Sequence, residues 1–288
     1  MKKFLKRVVE SNKYLSALHR LRKGQTPVYI EYDIDFVPRW QNDVGNPHLA
    51  NVIAAQEETY CRNLLDLAAF EPVIRSQMAG EFPFSIDWRN PHMPMLDGLT
   101  LMWAADRAKS LLIEIGSGNS TMFAKSALLH SGKDTKIVSI DPQPRAEIDA
   151  ICDEVIRSPL ENLDVSLFDR LEAGDSLFID NSHRSFMNSD VTVAMLDVLP
   201  RLKPGVLVGI HDIFLPFDYF QSWAGRGYNE QYLLASYLLA NSDYFDIQFA
   251  NYWICRQEMH REPLSAIWAN FDRDIADRMG SAFWAIKK

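Results

Sequence analysis

Two short polar clusters interrupt apolar runs in the second half of this sequence. Asp180-Asn181-Ser182-His183 follows "DSLFI" (175–179), and His211-Asp212 follows "VLVGI" (206–210). Ionisable groups at the end of a buried run are costly unless they are paired or used. Carboxylates and imidazoles in this pattern support two kinds of chemistry. Asp180, His211 and Asp212 carry the donor atoms to hold a divalent cation, which would bind and acidify a hydroxyl. Alternatively, His183 or His211 takes a proton while Asp180 or Asp212 orients the imidazole, histidine being the side chain that titrates near neutrality. His183 is the expected base. The plainer alternative makes His183 a helix cap and His211 a satisfied core residue.

A third feature lies upstream. "LLIEIGSGNSTMFAKSALL" (111–129) runs from an apolar burst through Gly116-Ser117-Gly118 into a helical pattern. Such a turn presents backbone N–H groups and a helix N-terminus to a negative group. The dinucleotide fingerprint needs a third glycine where this chain has Thr121. No Gly-Lys-[Ser/Thr] follows, so a P-loop is excluded, and the G-x-S-x-G hydrolase elbow is absent. "KIVSIDPQPR" then brings Asp141, 25 residues (141 − 116) beyond Gly116, where a carboxylate can accept hydrogen bonds from both ribose hydroxyls. Turn and acid together describe a site for a nucleoside with a modest negative tail, the shape of S-adenosylmethionine. Glu114 is placed to serve the ammonium end of that cofactor, directly or through water.

Short apolar runs alternating with helices must position these residues. Strands are expected at 111–115, 136–140, 153–156, 175–179 and 206–210, with "YFDIQFANYWIC" (244–255) and "SAFWAIK" (281–287) as two more around a helix at 264–279. The alternation is that of βα units and a parallel sheet. Helical spacing also marks 51–80, 99–109, 120–132, 189–202 and 229–240, with pieces after Pro144 and near 162–171. The expected fold class is α/β, a Rossmann-like doubly wound sheet of seven mostly parallel strands. Residues 1–95 are expected to form a mainly helical extension or cap, and 96–288 the catalytic-type domain.

The E-x-G-x-G of Glu114–Gly118, the acid Asp141, "FID" ending at Asp180 and "LPRLKPGVLVGIHDIF" (199–214) resemble class I S-adenosylmethionine-dependent methyltransferases. Within them the sequence is most similar to small bacterial enzymes with D-x-x-H after the fourth strand and H-D after the fifth. The resemblance implies an antiparallel last strand. It makes Glu114, Gly116, Ser117, Gly118 and Asp141 cofactor residues and puts Asn119, Ser120 and Thr121 near the methionine carboxylate. Asp180, His211 and Asp212 resemble in position the magnesium ligands of catechol O-methyltransferase-like enzymes. This chain has His211 where that pattern has a carboxylate, and Asp212 where it has an amide. Histidine is a poorer magnesium ligand than oxygen, so the implied cation is magnesium or the softer manganese.

The function so implied is methyl transfer to an oxygen, less readily a nitrogen, of a small molecule or a sugar or glycan hydroxyl. Trp223, Arg226, Tyr228 and Glu230 are expected on the acceptor side, and "WRNPHMP" (88–94) as a lid over the cofactor. Two alternatives compete: an NAD-type oxidoreductase on a similar sheet, and a non-catalytic cofactor-binding protein that docks through its N-terminus.

Composition narrows the partners. The net charge of −8 argues against nucleic acid, whose phosphates demand a basic face. No apolar run approaches the roughly 20 residues of a membrane span. Cys61, Cys152 and Cys255 form no C-x-x-C pair, which fits a reduced, cytoplasmic setting. Residues 1–23 hold eight Lys/Arg against the single acid Glu10 but no secretory h-region. They are expected to form a basic surface helix, with contact to an anionic membrane surface as the alternative.

Overall fold

The computed structural model describes residues 21–22, 31 and 34–288. The basic segment therefore lies, apart from Leu21 and Arg22, outside the described residues. Residues 38–288 form one compact unit, separate from 1–37.

Within that unit the chain starts with three helices, α1 (Pro47–Ala54), α2 (Glu57–Leu67) and α3 (Glu71–Met78). Asn46 caps α1 by accepting from the N–H groups of His48 and Leu49, and Pro47 opens its first turn, where the missing N–H costs nothing. Helix α4 (Met95–Arg107) follows a proline-rich segment, and every residue from Met95 to Ala105 is buried. It packs on α5 (Asn119–Ser131), which stops where Gly132 turns left-handed at φ +68°, as helices commonly do.

The sheet contains β1 (Leu111–Ile115), β2 (Lys136–Ile140), β3 (Glu154–Ile156), β4 (Ser176–Ile179), β5 (Leu207–Ile210), β6 (Phe245–Ala250) and β7 (Phe283–Lys287). Its order is β3-β2-β1-β4-β5-β7-β6. β7 runs antiparallel between β5 and β6, and the other pairs are parallel. This is the expected seven-stranded, doubly wound sheet. Its central strands β1, β4 and β5 are buried along their whole length, because helices cover both faces of a parallel sheet. β1 and β4 lie side by side at the point where strand order reverses, so their carboxyl ends open onto the crevice where such sheets bind ligands.

Several expected elements differ in detail. The helical stretch 51–80 is three helices. The strand-like run 244–255 is strand only to Ala250 and then becomes α8 (Asn251–Arg256), after α6 (Asp190–Val193) and α7 (Glu230–Ala240). A continuous apolar run carries no period by which helix and strand can be told apart. Here the switch occurs at Asn251, whose amide is drawn inward to Asp97 (2.7 Å) and Thr100 (3.0 Å). The helix at 264–279 is two short ones, Ser265–Trp268 and Arg273–Ala276, and the pieces between β2 and β4 are 3₁₀ turns.

Candidate active site

The glycine turn between β1 and α5 is held from below and from the side. Gly116 adopts φ +81°, and a Cβ there would stand 1.8 Å from the carbonyl oxygen of Asp180, so only glycine fits. The Ser117 N–H donates to Asp141 Oδ2 (2.8 Å), and the Ser117 and Ser139 hydroxyls are 2.7 Å apart. Thr121, in the place of the third glycine of a dinucleotide fold, accepts from the Gly118 N–H (3.2 Å) and donates to Glu114.

That last bond corrects the expectation for Glu114. Its two oxygens are taken by the Ser120 and Thr121 hydroxyls, and it is 1% exposed. Burial pushes its carboxyl up to about 7, against the pull of those hydroxyls. Glu114 is a strut beneath the turn, with both oxygens engaged by the chain's own hydroxyls.

Two cavities flank the turn. The first, about 340 Å³, is lined by Gly116, Ser117, Asp141, Leu160 and Asp180 among others. A carboxylate beside an apolar slot formed by Ile140, Pro159 and Leu160 suits a ribose and a flat base. The second, about 360 Å³, is lined by Gly118, Asn119, Ser120, Arg145 and Asp180. Its outer wall is Asp87, Asn90, Pro91, His92 and Met93, so the proline-rich segment does fold over the turn. It is tied there by paired bonds between Asn119 and the Asp87 backbone (3.0 and 3.3 Å). Asp180 lines both cavities and so stands at their junction.

Behind Asp180 the two polar clusters meet. His183 Nε2 lies 3.2 Å from Asp180 and 3.5 Å from Asp212, while His183 Nδ1 lies 2.9 Å from Glu230. His211 Nδ1 lies 3.5 Å from Asp180 and 3.6 Å from Asp212, and His211 Nε2 lies 3.1 Å from Asp97. Each imidazole thus has an inner nitrogen on the Asp180–Asp212 pair and an outer nitrogen on a carboxylate of its own. His183 and Asp212 take left-handed backbone angles, φ +59° and +55°, at a cost of about 1–3 kcal/mol each. The turn is held by Ser182, bonded to Asp190 (2.8 and 2.6 Å), and by the His183 N–H on Asn181 (2.9 Å).

The charges follow from this packing. Burial opposes a charged His183, but its bonds to Asp180 and Glu230 win and push it up to about 10. His211 is likewise held well above its usual value by Asp180 and Asp212 in spite of burial. Burial works to raise the Asp180 carboxyl, and the two imidazoles overcome this, holding it far below the carboxylate range. Glu230 is raised by burial, with His183 pulling the other way.

His183, expected as the base, is therefore an enclosed imidazole whose carboxylate neighbours favour its charged form. It is 3% exposed, with both ring nitrogens engaged. The expected cation ligands lie in the same cluster: Asp180 and Asp212 both face the His183 and His211 rings. Among the described residues, no group of three or more His, Cys, Asp or Glu is arranged to hold a metal ion. The acceptor-side residues are also divided. Glu230 is fully buried and serves His183. Trp223 and Tyr228 pack edge to face at 5.6 Å, with the Arg226 guanidinium 3.7 Å from the Trp223 ring.

Asp97, on α4, escaped the sequence reading. A signal existed: it is an acid inside a helix whose neighbours are apolar, and such a group must be satisfied.

Residues 113–213 match the profile of a family described as a methyltransferase domain. No curated protein matches the chain. Among solved structures, cofactor-bound Rv0187 from MTB is 13% identical, with a TM-score of 0.40 over 76% of this chain and 89% of that one. The plantazolicin methyltransferase BpumL, with a desmethyl analogue and SAH, is 10% identical, with a TM-score of 0.43 over 79% and 99%. An O-methyltransferase from Bacillus cereus with SAH is 15% identical, with a TM-score of 0.37 over 76% and 90%.

Proposed function

We propose that this chain, which carries a class I S-adenosylmethionine-dependent methyltransferase domain, methylates an oxygen of a small hydroxylated molecule or a sugar. The observation that carries this reading is the position of Asp180, shared by the cavity of Asp141 and the cavity of the glycine turn. A nucleoside in the first, and an amino-acid tail against the Gly118–Ser120 wall of the second, would bring their connecting atom beside Asp180 and leave the outer wall of the second cavity to the acceptor. That carboxylate, ionised throughout the working pH range, favours a sulfonium there.

The sulfonium supplies a methyl group already activated for attack. The protein's part is alignment and removal of the acceptor's proton. Asp141 and the turn at the start of α5 fix the donor. Asp97 and Glu230 fix His211 and His183, which in turn fix Asp180 and Asp212. An alcohol needs its proton taken as it attacks, so oxygen as the acceptor calls for a base beside the cavity junction. Three free cysteines suit a reducing compartment such as the cytoplasm. Among the described residues, no helix is long and apolar enough to cross a membrane.

Thermal shift with S-adenosylhomocysteine, NAD and buffer tests the reading. S-adenosylhomocysteine at 100 times its Kd should add about 2.7 kcal/mol of stability, and NAD should add none. A shift with NAD alone would return the chain to the oxidoreductase class.

The divalent cation is addressed by a chelator. Because Asp180 and Asp212 both have the His183 and His211 rings as partners, EDTA should leave both stability and S-adenosylhomocysteine binding unchanged. A loss restored by manganese would reinstate the cation at Asp180, His211 and Asp212.

A further inference from the structure

We propose that His92, on the segment closing the second cavity, is the general base that takes the acceptor's proton; this rests on the methyltransferase reading above.

The two histidines after β4 and β5 are badly placed for that task. Both rings are buried, and every ring nitrogen faces a carboxylate. No acceptor atom can come within hydrogen-bond reach without breaking an ion pair. His92 is the opposite case. It is exposed and lines the second cavity together with Asp180, Ser120 and Arg145. Its ring makes no hydrogen bond or ion pair among the described residues.

The backbone beneath it is nevertheless fixed. The His92 and Met93 N–H groups both donate to Asn90 Oδ1 (2.9 Å each), and Asn90 Nδ2 donates to the Asp87 carbonyl (2.7 Å). Asp87 is bonded in turn to Asn119 on the glycine turn. The imidazole is therefore tied to the element that would hold the cofactor, yet its ring is free to meet a substrate. A base needs both.

The charges around it suit a proton acceptor. Facing His92 are Arg145 from the loop after β2, Arg226 from the loop before α7, Asp180 after β4 and Asp212 after β5. Burial and Arg145 lower its pKa below the usual value, against the pull of the two carboxylates. The shift is opposite in direction to those of His183 and His211. Once it has taken a proton, Asp180 and Asp212 are the counter-charges.

In the step itself, the acceptor O–H proton moves to a His92 ring nitrogen as the oxygen pair bonds to the methyl carbon. The C–S bond breaks and its electron pair stays on sulfur, giving S-adenosylhomocysteine. The exposed imidazolium then returns its proton to water.

The test begins with S-adenosylhomocysteine binding to the wild type and to His92→Gln by thermal shift. Binding by neither protein removes the methyltransferase reading and the base with it. Equal binding leaves the reading intact and isolates the base; binding by the wild type alone makes His92 a cofactor contact and overturns the proposal. Diethyl pyrocarbonate with peptide mass mapping is then applied to the wild type. His92 should be modified, and saturating S-adenosylhomocysteine should slow that modification at least about tenfold, as expected for a ligand that fills the site. An unreactive His92, or one not protected, overturns the proposal. Turnover with 3,4-dihydroxybenzoate and methyl α-D-glucopyranoside as probe acceptors supplies the kinetic arm. His92→Gln should lower kcat by about 10²–10⁴-fold. The acid limb of the wild-type pH profile, rising through a pKa below 6.5, should vanish. Full turnover by the variant overturns the proposal; if neither probe reacts, the modification result decides.

Discussion

Asp97→Ala should destabilise the fold by about 3–5 kcal/mol, the range seen when one partner of a buried charged network is removed. No other side chain on α4 holds so many groups together. Asp97 Oδ1 accepts from the Ser281 and Ala282 N–H groups (2.9 Å each) and from Asn251 Nδ2 (2.7 Å). Its Oδ2 faces His211 Nε2 at 3.1 Å. Alanine leaves the Ser281 and Ala282 N–H groups and the outer His211 nitrogen buried with nothing to accept from them, at the entry to β7 and at the end of β5, and leaves Asn251 only Thr100. Gly280 shows how closely the chain wraps this carboxylate, because a Cβ there would lie 2.6 Å from Oδ1. At about 2–4 °C per kcal/mol for chains approaching this size, Tm should fall on the order of 10 °C. Asp97→Asn should recover little, since an amide turns a donor toward donors. Urea unfolding of both variants measures this. A loss under about 1 kcal/mol for the alanine variant would mean that water or a shifted chain replaces the carboxylate, and the site would lose its rigid floor.

The fold was readable from sequence to the extent that periodicity speaks. Five of the seven strands are uniform apolar runs bounded by turn residues, and they ended within a residue or two of their expected limits. The sixth did not. "FANYWIC" is equally apolar in either conformation, and the decision at Asn251 rests on Asp97, more than 150 positions away. At the site, the types of residue were legible but their wiring was not. The sequence brings Asp180 and His183 together by their spacing, and His211 and Asp212 by adjacency. Nothing local says that Glu230 and Asp97 will take the outer nitrogens. Those two carboxylates turn apparent bases into enclosed imidazoles with both ring nitrogens engaged. Glu114 is a similar case: one position before the turn it looks available, and only folding reveals that Ser120 and Thr121 claim it. His92 was passed over because it sits in a proline-rich stretch without a period, and loops that close over a site give no pattern to find.

Asp141→Ala should weaken S-adenosylhomocysteine binding by about 100-fold or more while leaving the sheet intact. Charge-assisted hydrogen bonds contribute about 1.5–3 kcal/mol each, and about 2.7 kcal/mol corresponds to a factor of 100. Two such bonds to a ribose would be lost together. The same carboxylate also latches the turn, accepting from the Ser117 N–H (2.8 Å) and the Gln143 N–H (2.7 Å). The substitution therefore loosens the turn that would hold the cofactor as well. The backbone at 141 is secured independently, by its N–H on Ile156 (3.1 Å) and by Arg157 donating to its carbonyl (3.0 Å). The unliganded Tm should thus move far less than in the Asp97 variant. Calorimetry separates the two roles. Asp141→Asn keeps one acceptor oxygen, so it should retain part of the affinity and fall between wild type and alanine. An alanine variant that binds within about threefold of wild type would show that no sugar hydroxyl rests on this carboxylate. The first cavity would then have to hold something other than a nucleoside.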